Sequence, residues 1–376
     1  MINKLFIFYL LFFSIISCKE LTIKPVTTGI DGGTILADVG GPNQPNQVYV
    51  DLSTGVSTSV RRDVWDLGFY TGNKFSVVLN SSLLMAAAAL TGSDINLVNS
   101  LSEEVQSLQN EVRVGVLYSE GTQEKYVDGA FGTIIDLKAP FFGERIETAI
   151  AEISDTDSDN PVYLLNLGRE ISNDIPNIGD AETYGNNRGW KKIRILKRAN
   201  NYLLQYANLD DTNYKEVSIS KNQTYNFTFF SFSTESEVSV EPPKASWDLN
   251  FTVFTNTING TSLGDIDFVL NNVKGGARAY KMFSNPEAFN YSGFSFDNFT
   301  FGDVVIANFI DDQRSIGKSW RTISGKVNDS FYKLEINDVF YILKDTEGNL
   351  YKIKFDNLVN AKGERGYPQF TYNLLK

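Results

Sequence analysis

The string Trp-Asp-Leu-x-Phe occurs twice in this chain, at residues 65–69 and at residues 247–251. The chain has 376 residues and only four tryptophans, so half of its tryptophans lie in one repeated pattern. Around each string, apolar and polar residues alternate and Gly-containing turns follow, which is typical of β-strands. A strand pattern that occurs twice predicts two copies of one β-rich unit.

Further segments occur in the same order in both halves. They are Leu-Ser-Thr at 52–54 with Phe-Ser-Thr at 232–234, residues 75–80 with 268–271, 162–165 with 339–343, 190–195 with 351–355, and 202–206 with 370–374. Because the order and approximate spacing agree, we expect a duplication, with a boundary in the polar turn at residues 209–214. The aromatic-rich composition, with 27 Phe and 18 Tyr, also favours β structure.

The N-terminus has the features of a lipoprotein signal. Lys4 precedes an apolar run at residues 5–16, which at roughly 12 residues is shorter than the ~20 needed to span a bilayer. Residues 15–18 resemble the lipobox of bacterial lipoproteins, so we expect cleavage before Cys18 and lipidation of Cys18. The alternative is an ordinary cleaved signal that happens to contain a cysteine. Lys and Glu at 19–20 resemble the export signal that sends some Bacteroidetes lipoproteins to the cell surface.

These features divide the chain into four predicted parts. They are a signal peptide at 1–17, a lipidated tether at 18–46, a first β domain at 47–210 and a second β domain at 211–376. We expect the mature protein to be held at the outer membrane by its lipid and to face the cell surface.

Composition excludes several classes of function. The net charge of −11 repels phosphate backbones, so we expect no nucleic-acid partner. Histidine is absent and Cys18 is the only cysteine, which excludes Cys/His zinc sites and catalytic triads that need histidine. Hydrolysis of glycans by two carboxylates stays open, but no spacing among the 45 acidic residues singles out a pair. We therefore predict a binding protein and no enzyme.

Several residues that could bind a ligand also have structural interpretations. The Trp of each repeated pair is expected to fill the core with its N–H near a backbone acceptor, while the Asp accepts from turn or backbone donors. Basic residues alternate with apolar ones at 190–195 and 351–355, which predicts half-exposed strands with a cationic outer face; an anion site is the alternative. Residues 155–160 lack the Gly and Glu of an EF-hand loop and are expected to form a solvated acidic loop.

Three other segments complete the prediction. Residues 102–112 are the best helix candidate, because apolar residues recur on one face and acids lie in the first turn. The apolar run at 83–90 suits a buried element, and residues 173–188 suit a polar loop.

The strings that carry a family resemblance are Trp-Asp-Leu-Asn-Phe at 247–251, Ile-Gly-Lys-Ser-Trp at 316–320, the strands at 340–355, Arg-Gly-Tyr-Pro at 365–368, and, in the first half, residues 51–55 and 65–70. With them the chain resembles the HmuY-like family of Bacteroidetes lipoproteins over most of its mature length. The resemblance implies a mostly β fold of two tandem antiparallel domains. It also implies capture of haem for delivery to an outer-membrane receptor.

The chain departs from the founding type of that family, which holds haem through two axial histidines. Without histidine, a soft thioether is a suitable ligand for haem iron, as in relatives that use Met. Only Met85 and Met282 remain after signal cleavage. Beside Met282, Tyr280 would contact the ring and Arg278 a propionate. Met85 lies in an apolar run where a packing role is the alternative, and the two methionines occupy non-equivalent places in the two repeats.

The leading hypothesis is a lipid-anchored surface protein that binds haem or another tetrapyrrole. The alternative is a surface adaptor that binds a protein or glycan partner through its aromatic-rich strands and takes no haem.

Overall fold

Antiparallel strands make up most of the regular structure, with 41% of residues in strands and 7% in helices. The computed structural model describes residues 29–115, 122–128, 147–287, 291, 293–324 and 333–376. The predicted mostly β fold of two tandem units is confirmed.

The strands of the described residues are β1 Gly32–Leu36, β2 Asn46–Asp51, β3 Val56–Arg61, β4 Leu67–Tyr70, β5 Val77–Leu79, β6 Ala86–Ala89, β7 Thr122–Gln123, β8 Tyr163–Asn166, β9 Trp190–Arg198, β10 Asn201–Asn208, β11 Lys215–Ile219, β12 Phe227–Ser231, β13 Ser236–Val238, β14 Leu249–Ile258, β15 Thr261–Asn271, β16 Arg278–Phe283, β17 Arg321–Ser324, β18 Lys333–Ile336, β19 Val339–Lys344, β20 Leu350–Val359 and β21 Arg365–Leu374. The helices are α1 Glu103–Leu108 and the 3-10 turns Ser81–Leu83, Ile95–Leu97, Glu124–Tyr126, Asp157–Asp159, Phe301–Asp303 and Ile306–Asn308.

Two of the three five-stranded antiparallel sheets, called here the two large sheets, are equivalent to each other. Their strand orders are β11-β10-β9-β8-β6 and β1-β21-β20-β19-β16. The repeated segments of the sequence fall on matching strands of these sheets, because β8, β9 and β10 correspond to β19, β20 and β21. Buried aromatic and aliphatic side chains fill one core under each sheet, with Phe69 and Tyr202 in the first and Trp320 and Phe355 in the second.

The N-terminal strands of the two units are exchanged. Hairpin β2–β3 pairs with β14 through β2, and hairpin β12–β13 pairs with β4 through β12. Likewise, β1 completes the sheet that contains β21, and β11 completes the sheet that contains β10. Each repeated Trp-Asp string therefore receives the hairpin that precedes the other string in the chain. The predicted division between residues 210 and 211 stays a prediction, and the β10–β11 pairing crosses it.

The Asp of each repeated pair fixes an exchanged hairpin. The Asp66 carboxylate accepts the backbone N–H of Phe232 at 2.7 Å, and the Asp248 carboxylate accepts that of Leu52 at 2.9 Å. Asp66 also pairs with Arg188, with 2.7 Å between Oδ1 and Nη2. The expectation that these carboxylates take backbone donors is confirmed. The matching contacts explain why the Ser-Thr and Trp-Asp segments are repeated together.

The predicted helix, the predicted buried segment and the predicted polar loop are all found in the structure. Helix α1 lies inside the segment predicted as helical, residues 83–90 are buried except for Ala89, and residues 173–188 form a loop.

The expected cationic outer face is wrong at Lys192 and Lys352, which are 2% and 9% exposed. Lys192 Nζ donates to the carbonyl of Val98 at 2.6 Å, and Lys352 Nζ donates to that of Phe296 at 2.6 Å. These lysines occupy equivalent register positions, opposite residues 164 and 342, and tie loops onto the two large sheets.

Candidate ligand-binding site

Strand β16 carries the predicted residues Arg278, Tyr280 and Met282. It is the edge strand of the second large sheet, next to β19. Because side chains alternate along a strand, these three residues point to the same face. Tyr280 and Met282 pack on an aromatic cluster that includes Phe296, Phe299 and Phe340. The structure therefore brings Tyr280 and Met282 together, as the sequence predicted.

A cleft of about 330 Å³ opens beside this strand. It is lined by Tyr280, Lys281, Met282, Phe283, Phe294, Asp303, Val305 and Asn308. The wall opposite β16 comes from two 3-10 turns within residues 301–308. A half-buried thioether, several aromatic rings and one lysine thus face a common space.

Tyr280 is held in place by that opposite wall. Its hydroxyl accepts the backbone N–H of Val305 at 3.3 Å, and its ring meets Phe309 edge-on, with 4.9 Å between centroids. Burial raises the pKa of Tyr280 above its usual value, so the phenol is neutral at physiological pH. A neutral, oriented ring is suited to packing against a flat apolar ligand.

Arg278 lies at the far end of β16 and does not line the cleft. Its guanidinium forms an ion pair with Asp311 and donates to the carbonyl of Val273 at 2.6 Å. Lys281, which the sequence analysis did not select, lines the cleft instead. The Lys281 ammonium lies 4.9 Å from the centroid of the Phe283 ring, and burial lowers its pKa. In the sequence, its place next to Met282 is the feature that could have indicated a role for Lys281 in the cleft.

Met85 lies elsewhere. It is 1% exposed in the first core, among the residues packed under the first large sheet. It shares neither a cluster nor a cavity with Met282. The structure therefore does not assemble both methionines into one site, and a ligand role for either residue stays a prediction.

The predicted lipidation residue, Cys18, lies outside the described residues. In the part of the chain that the structure describes, no helix is long and apolar enough to cross a membrane. The same described residues contain no group of three or more Cys, Asp or Glu side chains placed to hold a metal ion.

The fold and cleft define a β-rich binding protein built from two related units, and the family comparison agrees. A family model described as HmuY protein matches residues 43–225 and again 222–372. The chain belongs to this family, and the resemblance seen in the sequence is confirmed. No curated protein matches the sequence.

Solved structures that are similar to this chain include the following three. A protein of Bacteroides vulgatus designated HmuY-like and heme-binding has 10% identity and a TM-score of 0.22, over 91% of this chain and 91% of that one. The apo HmuY analog of Tannerella forsythia has 8% identity and a TM-score of 0.22, over 92% and 96% of the two chains. Apo PinO, from Porphyromonas gingivitis, has 13% identity and a TM-score of 0.21, over 48% of this chain and 94% of its own.

Proposed function

We propose that this chain is a surface binding protein that takes haem or another tetrapyrrole in the cleft beside β16. Membership of the HmuY family provides the class of function. The observation that carries the ligand assignment is the position of Met282, a half-buried thioether among aromatic side chains on the edge strand of a sheet. Thioether sulfur is a soft ligand for haem iron, and Lys281 supplies a cation for a propionate.

Among the described residues that line the cleft, Met282 is the one thioether, so it would be the one sulfur ligand to the iron. This differs from ligation by two histidines, which a chain without histidine cannot provide. We further propose that Cys18 carries the lipid that holds the protein at the outer membrane, where a receptor would accept its ligand. Metabolic labelling with a fatty acid, lost in Cys18→Ser, tests that anchor.

Titration with haemin tests the ligand assignment. We expect the soluble chain, lacking residues 1–19, to give a saturable Soret shift at one haem per chain. Met282→Leu keeps the apolar volume but removes the thioether, so it should weaken binding and change the ligand-field bands. The matched control is Met85→Leu, which makes the same change in the first core and should leave the titration unchanged.

Weak, non-saturating absorbance changes in the wild type would eliminate haem as the ligand. The second candidate, an adaptor for a protein or glycan partner, would then remain. It is favoured by the exposed apolar residues Val305, Ile306 and Ile310 beside the cleft, which are 49%, 40% and 43% exposed.

A further inference from the structure

A second cavity lies where the exchanged hairpins meet, and it shares no lining residue with the β16 cleft. Its volume is about 120 Å³. The two repeated tryptophans both line it: Tyr49 meets Trp247 edge-on at 5.0 Å, and Phe229 meets Trp65 edge-on at 4.8 Å. These two aromatic pairs are equivalent in the two repeats, so the wall has approximate two-fold symmetry.

Polar atoms without partners are concentrated in this wall. The lining residues include Gln47, Trp65, Trp247 and Asn250, which are each at most 8% exposed. The Nε2 of Gln47, both indole Nε1 atoms and the Oδ1 of Asn250 make no hydrogen bond. Leaving a buried polar atom unpaired costs about 1–3 kcal/mol, so these four atoms leave hydrogen-bonding capacity around one cavity that a ligand would satisfy.

The unpaired atoms specify the chemistry of that occupant. Three of them are N–H donors and one is a carbonyl acceptor, and hydroxyl groups satisfy both kinds because they accept and donate. The aromatic walls suit a ring that presents C–H groups on its faces. A sugar ring combines these two properties, with hydroxyls at its rim and C–H groups above and below.

The charged residues of the wall favour a neutral ligand. Glu241 accepts the backbone N–H groups of Asn226 and Phe227 at 2.6 and 2.9 Å, and Lys274 lines the same cavity. Burial raises the pKa of Glu241 to about 7 and lowers that of Lys274 to about 8. The carboxyl and the ammonium oppose each other, and Asp128 adds a second carboxylate that accepts the backbone N–H groups of Leu79 and Ala149 at 2.8 and 3.0 Å. The wall therefore presents charges of both signs, and its carboxylates are already bound to backbone N–H groups.

We propose that this cavity binds a neutral ligand with several hydroxyls, the size of one sugar ring. The indole N–H groups of Trp65 and Trp247 and the amide of Gln47 donate to its oxygens, and Asn250 accepts from one of its hydroxyls. The half-buried Lys274, Asp128 and Gln313 mark the side from which the ligand enters. This site is separate from the β16 cleft and does not depend on haem binding there.

Isothermal titration of the soluble full-length mature chain with D-glucose, D-galactose and N-acetyl-D-glucosamine tests the proposal. At least one sugar should bind saturably at one site per chain. Trp247→Phe keeps an aromatic ring at this position but removes the indole N–H, so it should weaken binding roughly 2- to 10-fold. Gln47→Met removes a different donor and should also weaken sugar binding. The two variants together keep the proposal testable if one of them folds poorly.

The matched control is Trp320→Phe. Trp320 is fully buried in the second core, stacked on Phe355 at 4.3 Å, and its Nε1 also lacks a partner. The same substitution there should leave sugar affinity unchanged. The proposal is overturned if no sugar binds, if benzene binds while the sugars do not, or if Trp320→Phe weakens binding as much as Trp247→Phe. Cavity waters alone would then satisfy the unpaired atoms.

Discussion

At the scale of single residues, the indole N–H groups of the two repeated tryptophans are buried without a hydrogen-bond partner. Trp65 and Trp247 are buried, as expected, yet the prediction that their N–H groups meet backbone acceptors is wrong. Strands β2 and β12 hydrogen-bond to the strands that follow each tryptophan, and neither indole N–H has a partner in the structure. The indole N–H groups are therefore left for a ligand or water.

Glu241 should make stability depend on pH. Burial raises its pKa in the folded state to about 7, well above that of the unfolded chain, so the folded state binds the proton more tightly. This contribution to stability is fully present at acidic pH and is lost as pH rises through about 7. Between pH 5 and pH 8 the loss should be roughly 2–3 kcal/mol.

Glu241→Gln should remove this part of the pH dependence while keeping an oxygen for the two backbone N–H groups. Urea unfolding measures the free energy of unfolding at pH 5 and at pH 8. The difference between these two values should be smaller in Glu241→Gln than in the wild type. Glu287→Gln, at an exposed glutamate, is the matched control and should keep the wild-type difference. Equal pH dependence in the wild type and Glu241→Gln would contradict the interpretation.

At the scale of elements, the two large sheets hold their loops through one repeated lysine. Lys192 in β9 and Lys352 in β20 take the same place in the two sheets and donate to loop carbonyls. Lys352 Nζ lies 2.6 Å from the carbonyl oxygen of Phe296 and 3.0 Å from that of Phe299. This loop contributes rings to the cluster under Met282, so the lysine helps to shape the β16 cleft.

Lys352→Met should destabilise the protein, because it leaves those carbonyls buried without a donor. We expect a loss of about 1–3 kcal/mol in the free energy of unfolding. Lys344→Met, at an exposed position of the neighbouring strand β19, should change stability by less than about 0.5 kcal/mol. If the two variants were equally stable, the buried lysine would have no role in holding the loop.

At the scale of the whole molecule, the two units are joined by exchange of strands as well as by the chain. Thr34 of β1 lies opposite Thr371 of β21, with 3.2 Å between their Oγ1 atoms. Without exchange, β1 would lie in the first sheet beside β10, in the place that β11 occupies. There the residue opposite Thr34 would be Gln205, which pairs with Glu216 of β11 in the structure.

Paired cysteines distinguish these two arrangements. In the soluble chain without Cys18, Thr34→Cys with Thr371→Cys should oxidise to an intrachain disulfide, because directly opposed strand residues allow that geometry. Thr34→Cys with Gln205→Cys is the matched control and should stay reduced. Mass spectrometry of the linked peptides reads out the result. A disulfide in the control pair alone would show that each unit keeps its own N-terminal strands.

The sequence by itself determined the duplication and the mostly β fold. These features depend on the local alternation of apolar and polar residues and on the order of segments, both of which can be read directly from the sequence. Tertiary structure alone decided that the hairpins are exchanged, that Arg278 is engaged by Asp311, and that Lys192 is buried. Each of these is a contact between segments distant in sequence, and the energies of pairing and burial that select them have no local pattern. The cavity between the repeated tryptophans arises in the same way, since neither copy of the motif forms it alone.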